Sequence, residues 1–115
     1  MKHYEFQCKV EYPDLGVDAR LSHLGTLRMM QEAACQDSSR TGYGPFDVER
    51  NGVAWIICGW KLRLDRRPHW GEALTVHTWP RTMSSHLSER DFHIFDSHGN
   101  LICAATSRWL LIDVR

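Results

Sequence analysis

The sequence predicts an α+β fold: one long central helix wrapped by a twisted antiparallel sheet, in the order strand, helix, four strands. Three observations predict it. A short segment of period two precedes a segment of period three to four, and four long strand-like segments follow. Those later segments are joined by turns too short for a crossover, which forces antiparallel neighbours. The 115 residues are enough to bury about 60–70% of the unfolded surface, so one modest core of few elements is expected, with 1–115 as a single domain.

From Tyr4 to Tyr12 the residues Tyr4, Phe6, Cys8, Val10 and Tyr12 alternate with polar ones, the pattern of a half-buried strand that Pro13-Asp14-Leu15-Gly16 ends. From Ser22 to about Arg40 the period changes: Leu24, Leu27, Met30 or Gln31, Ala34 and Cys35 mark the apolar stripe of a helix. Ser22 suits its N-cap, and Gly42 and Gly44 suit its stop. The small residues Ala33, Ala34, Ser38 and Ser39 would let a sheet approach closely. Pro45 to Asn51 reads as a short helical turn closed by Asn51-Gly52. The four strands are then Val53 to Asp65, Ala73 to Thr82, His86 to Asp96 and Leu101 to Val114. Of the turns between them, Ser97-His98-Gly99-Asn100 is the clearest hairpin signal.

Charge argues against several classes of function. Fourteen basic and 14 acidic side chains cancel to zero net charge, which gives no long-range attraction to nucleic acid or an anionic membrane. Cys8, Cys35, Cys58 and Cys103 are too widely spaced for a zinc or redox motif and read as small buried hydrophobes in a reducing compartment. Seven scattered histidines have no ligand spacing, so no metal and no cofactor is expected. The segment Met1-Lys2-His3-Tyr4-Glu5-Phe6 is too polar for a signal peptide, and no stretch approaches a membrane span; a cytoplasmic protein is the expectation.

A small, strongly twisted sheet wrapped on one helix is the hotdog arrangement. It leaves free sheet edges, so two such units are expected to pair edge to edge, as a homodimer or a higher homo-oligomer. Particular residues carry a family resemblance. Gln31-Glu32-Ala33-Ala34, Trp55, Pro68, Gly71-Glu72 and Thr78-Trp79-Pro80-Arg81 resemble the N-terminal hotdog of acyl-ACP thioesterases. Arg90-Asp91-Phe92, Ala104-Ala105-Thr106-Ser107 and Trp109-Leu110-Leu111-Ile112-Asp113 continue the resemblance over nearly the whole chain. It implies hydrolysis of a fatty acyl thioester of acyl carrier protein, with coenzyme A thioesters as further substrates and a fatty acid as product. It also implies a tandem of two hotdog units, the second bearing an Asp-x-Asn-x-His motif. In the corresponding loop here Asp18 matches the first position, while Arg20 and Ser22 stand for the Asn and His.

The chemistry needs a base to activate water and N–H donors, such as a helix start, to hold the developing oxyanion. Asp18 and His23 flank the expected helix start. Glu32, next to Gln31 and directly after Met29-Met30, is an acid within the most apolar part of the helix and a candidate base. Met29, Met30, Phe46, Trp55 and Ile57 are the candidate lining of an acyl tunnel, methionine and tryptophan packing a flexible chain without fixing its shape. Arg63, Arg66 and Arg67, with Lys61, form a basic cluster suited to an acidic carrier protein or to coenzyme A phosphates; Arg81 and Arg90 are further candidates. Two readings stand open. One is a thioester hydrolase built from paired hotdogs; the other is a non-catalytic acyl-binding and dimerisation half whose partner supplies the base.

Overall fold

A computed structural model of the chain describes residues 3–115. Strand β1 (Tyr4–Lys9) leads through a 3₁₀ turn (Tyr12–Asp14) into α1 (His23–Arg40). A second 3₁₀ turn (Pro45–Asp47) and α2 (Val48–Asn51) precede β2 (Val53–Leu64), β3 (Ala73–Met83), β4 (Leu87–Asp96) and β5 (Leu101–Asp113). The sheet is antiparallel throughout, in the order β1-β3-β4-β5-β2, so β1 and β2 are its edges. It wraps α1, the arrangement expected from the sequence.

Local chemistry sets the ends of the helix. The Ser22 hydroxyl accepts from the Gly25 N–H at 2.9 Å, satisfying one orphan donor of the first turn. Gly25 itself is dictated by packing: a Cβ there would lie 2.7 Å from Asp14, so only glycine lets α1 start against the Tyr12–Asp14 turn. At the other end of the linker, Gly52 adopts the left-handed φ of 73° that closes α2 and turns the chain into β2.

Three expectations are corrected, the third being the burial of the cysteines. The first strand ends at Lys9, although Val10 still exchanges hydrogen bonds with Gly71 and Glu72 and is fully buried. Tyr12 is exposed, because Pro13 fixes its φ inside the 3₁₀ turn and swings the chain off the sheet. The apolar stripe of α1 is also rotated from the expected one. Gly25, Thr26, Met29, Met30, Ala33, Ala34 and Asp37 face inward, and Leu24 is exposed. The close approach at Gly25 selects that face.

The core lies between α1 and the β1–β3–β4 part of the sheet. Met30, Ala33 and Ala34 meet Leu74, Val76, Phe92 and Ile94, with Leu21 and Val10 closing the end near the helix start. Alanines bring helix and sheet together, and β-branched and aromatic residues fill the sheet side; each large side chain so buried contributes about 1.5–3 kcal/mol. Of the four cysteines, Cys103 is buried, Cys8 and Cys35 are half-buried, and Cys58 is exposed at a bulge in β2, departing from the expected burial.

Candidate functional site

Helix α1 packs on β3 and β1, so the inward face of β2 and the far end of β5 are left partly open. Between the C-terminal half of α1 and that open side lies a cavity of about 250 Å³. Trp55 of β2, Trp109 of β5, Ala34 of α1 and Pro45 form apolar walls, and Arg90 and Ser88 of β4 form a polar side. Gly44 belongs to the rim, where a side chain would overlap Ser39.

The polar side is anchored by a buried ion pair. Arg90 Nη1 donates to Asp37 Oδ2 at 2.9 Å and to Thr78 Oγ1 at 3.1 Å, and Asp37 and Arg90 are only 6% and 8% exposed. The second Asp37 oxygen is bonded by Arg40, which reaches it from the surface. A buried pair in which both oxygens are bonded is tolerable, and removing either partner would strand a charge. Ser107 donates to the Arg90 carbonyl at 3.0 Å and accepts from Trp109 Nε1 at 2.7 Å, so the network also sets the indole that walls the cavity.

Asp37 is the residue that sequence reasoning missed. Its signal was present: it falls three, four and seven residues after Ala34, Ala33 and Met30, so it sits on the buried stripe, where an unpaired carboxylate could not stay.

Of the expected acyl-lining residues, Trp55 is at the cavity. Met29 and Met30 are sealed in the core, Phe46 is fully exposed, and Ile57 is half-buried on the inward face of β2. The expected catalytic residues are spread along α1. Asp18 is exposed and gripped by Arg67, whose Nη1 and Nη2 reach its two oxygens at 2.7 and 3.0 Å. Those bonds hold the Asp18 carboxyl below the usual carboxylate range. His23 is exposed on the first turn. From Ser22 to the cavity residues Ala34 and Ser38 is 12 to 16 residues, about 18–24 Å along the axis at 1.5 Å each. Asp18 and His23 therefore do not share this chain's cavity.

Glu32 is closer. Its side chain is exposed and accepts from Gln36 Nε2 at 2.9 Å, while Gln31 beside it is half-buried. Cys35, one turn on, is at the cavity, and burial together with the nearby Glu32 charge pushes its thiol up. Tyr4 donates to Gln36 at 2.7 Å and ties this stretch of helix to β1.

Each arginine of the expected basic cluster holds a carboxylate. Arg63 pairs with Asp65 at 3.1 Å; Arg66 bridges Glu72 and Asp96; Arg67 holds Asp18 and also donates to the Leu21 carbonyl at 2.8 Å. The Arg66 bonds keep Glu72 below its ordinary range. Among the described residues no three His, Cys, Asp or Glu side chains gather as a metal cluster, and no helix is long and apolar enough to cross a membrane.

Residues 1–115 match the sequence profile of the acyl-ACP thioesterase N-terminal domain. A chloroplastic acyl-[acyl-carrier-protein] hydrolase, FATB3 of Cuphea viscosissima, is 25% identical over 107 residues, covering 87% of this chain and 26% of its own length. The chain thus spans about a quarter of the plant relatives it matches. A putative acyl-CoA thioesterase, YneP of Bacillus subtilis, is 24% identical over 103 residues, covering 90% of this chain and 72% of YneP. Among solved structures, an acyl-ACP thioesterase from Bacteroides thetaiotaomicron superposes with a TM-score of 0.89 at 22% identity, over 98% of this chain and 46% of the other.

Proposed function

Because the chain belongs to the acyl-ACP thioesterase N-terminal domain family, we propose that it serves acyl-thioester hydrolysis as one unit of a paired hotdog, housing the acyl group in its cavity. The observation that carries this reading is where the cavity lies: walled by Trp55 and Trp109, beside the open inward face of β2. That strand is a 12-residue sheet edge, and a second hotdog added there would extend the sheet and cover the exposed side of the cavity.

In the hydrolysis a base takes a proton from water, and the water oxygen bonds to the thioester carbonyl carbon. The oxyanion collapses, the C–S bond breaks, and the thiolate leaves to take up a proton. Glu32 is the candidate base of this chain, since it lies within one turn of the cavity and, among the described residues, its carboxylate is engaged only by Gln36. Asp18 and His23, at the far end of α1, would serve a site completed by the second unit. Acyl carrier protein and coenzyme A thioesters are the proposed substrates; Arg63, with its exposed side chain, fits carrier docking better than Arg66 and Arg67, which brace local carboxylates.

The second reading, an acyl-binding half without its own base, is favoured by the grip of Arg67 on Asp18 and by the exposure of Glu32. Light scattering followed by thiol release from medium- and long-chain acyl-ACP and acyl-CoA separates the two. A dimer whose turnover is abolished by Glu32→Gln supports the hydrolase; a chain that binds fatty acid but releases no thiol supports the binding half.

A further inference from the structure

We infer that the cavity is built for an acyl group bearing a neutral acceptor oxygen, a hydroxyl or keto oxygen along its chain, held by Arg90. This rests on the cavity being the acyl site. Arg90 is more than nine-tenths buried, yet only one of its three nitrogens is used: Nη1 serves both Asp37 and Thr78. Nε and Nη2, with three N–H groups between them, make no hydrogen bond within the described residues. Among those residues no fully buried side-chain nitrogen or oxygen lacks a partner, so these two nitrogens face open space, and the open space that Arg90 borders is the cavity.

An unsubstituted alkyl chain filling that space would displace water from the guanidinium and offer nothing in return. An oxygen on the chain would accept a charge-assisted bond there. Asp37 is shared between Arg40 and Arg90, so the group keeps a net positive charge that an acceptor oxygen would favour. In a thioester the acid carbon is bonded to sulfur, so the oxygens that the chain itself can bring to Arg90 are neutral hydroxyl or keto oxygens. Trp55 and Trp109 supply the apolar contact for the rest of the group, and the volume, roughly eight water-sized units, suits a medium-length chain.

The same two indoles provide the readout. The full chain is titrated with decanoate and with its 3-, 6- and 10-hydroxy derivatives, following tryptophan fluorescence. At least one hydroxy acid is expected to bind about tenfold tighter than decanoate, the scale of one hydrogen bond to a charged group. The double variant Asp37→Leu with Arg90→Met, which replaces the buried pair by apolar side chains, is expected to bind decanoate at least as well as the wild-type chain and to lose the preference. Equal wild-type affinity for all four acids overturns the inference with no variant involved. A preference that survives in the folded double variant overturns the role of Arg90. Failure of all four acids to bind removes the acyl-site reading and the inference with it, whereas binding without thiol release leaves the inference intact and rejects only hydrolysis by this chain.

Discussion

Under α1, the inward residues of β3 and β4 are closed off: Leu74, Val76, Phe92 and Ile94 are at most 2% exposed. Across the sheet, Trp55, Ile57, Trp60, Leu62 and Leu64 of β2 alternate inward in the same way but stay half-exposed. Both regions are strands of one sheet with one face apolar, so composition does not separate them. Position does: the single helix packs on β1 and β3 and meets β4 through Asp37 and Arg90, but does not pack on β2 at the opposite edge. The covered half stabilises the chain, and the uncovered half has the cavity and the free edge that a second unit would meet.

This contrast is sharpest in stability. Phe92→Ala is expected to cost about 3–5 kcal/mol in urea denaturation, since Phe92 is fully buried and packs on Trp60 with ring centroids 5.4 Å apart. Trp55→Ala, on the open side, should cost only about 1 kcal/mol while reducing the fluorescence response to fatty acid to the part that Trp109 reports. Comparable losses from the two substitutions would break the comparison. Between these in purpose, Ser22→Ala removes the cap of α1 and is expected to cost about 1 kcal/mol with fatty-acid binding retained, because the cap lies at the far end of the helix from the cavity.

The smallest expected effect is on acid stability. Arg67 holds the Asp18 carboxyl low, Arg66 does so for Glu72, and Asp96 is held low by backbone N–H bonds, first from Asn100 and also from His98, with Arg66 adding to it. A carboxyl depressed in the folded state binds fewer protons there than in the unfolded chain. Its contribution is therefore complete above the unfolded values of about 3.9–4.3 and is lost as pH falls through the lower folded ones. Melting temperature should be flat in this respect above about pH 5 and fall below pH 4. Arg67→Met should shallow that fall, and a profile unchanged by the substitution would deny Asp18 its share.

Much of this organisation was legible in order along the chain. Ser22 as a cap, Asn51-Gly52 as a stop, and the Ser97 to Asn100 hairpin all depend on bonds within four residues, which local sequence specifies. Hydrophobicity alone places Leu24 on the apolar stripe of α1, whereas the helix face is chosen by the contact between Gly25 and Asp14, which leaves Leu24 exposed. Met29 and Met30, expected along an acyl tunnel, lie in the core for a related reason: periodicity marks a residue as inward, and here inward means the packed core rather than the cavity wall.

By itself, then, the sequence determined the element order, the caps and turns, the antiparallel sheet around one helix, and the family. Those follow from period, short-range hydrogen bonding and motif order. Only the tertiary structure decided which half of the sheet the helix covers, and that Asp37 meets Arg90 across 53 residues of chain beside the cavity. A buried ion pair of that kind depends on two elements arriving at the same depth, and no local pattern in either strand or helix encodes the other's arrival.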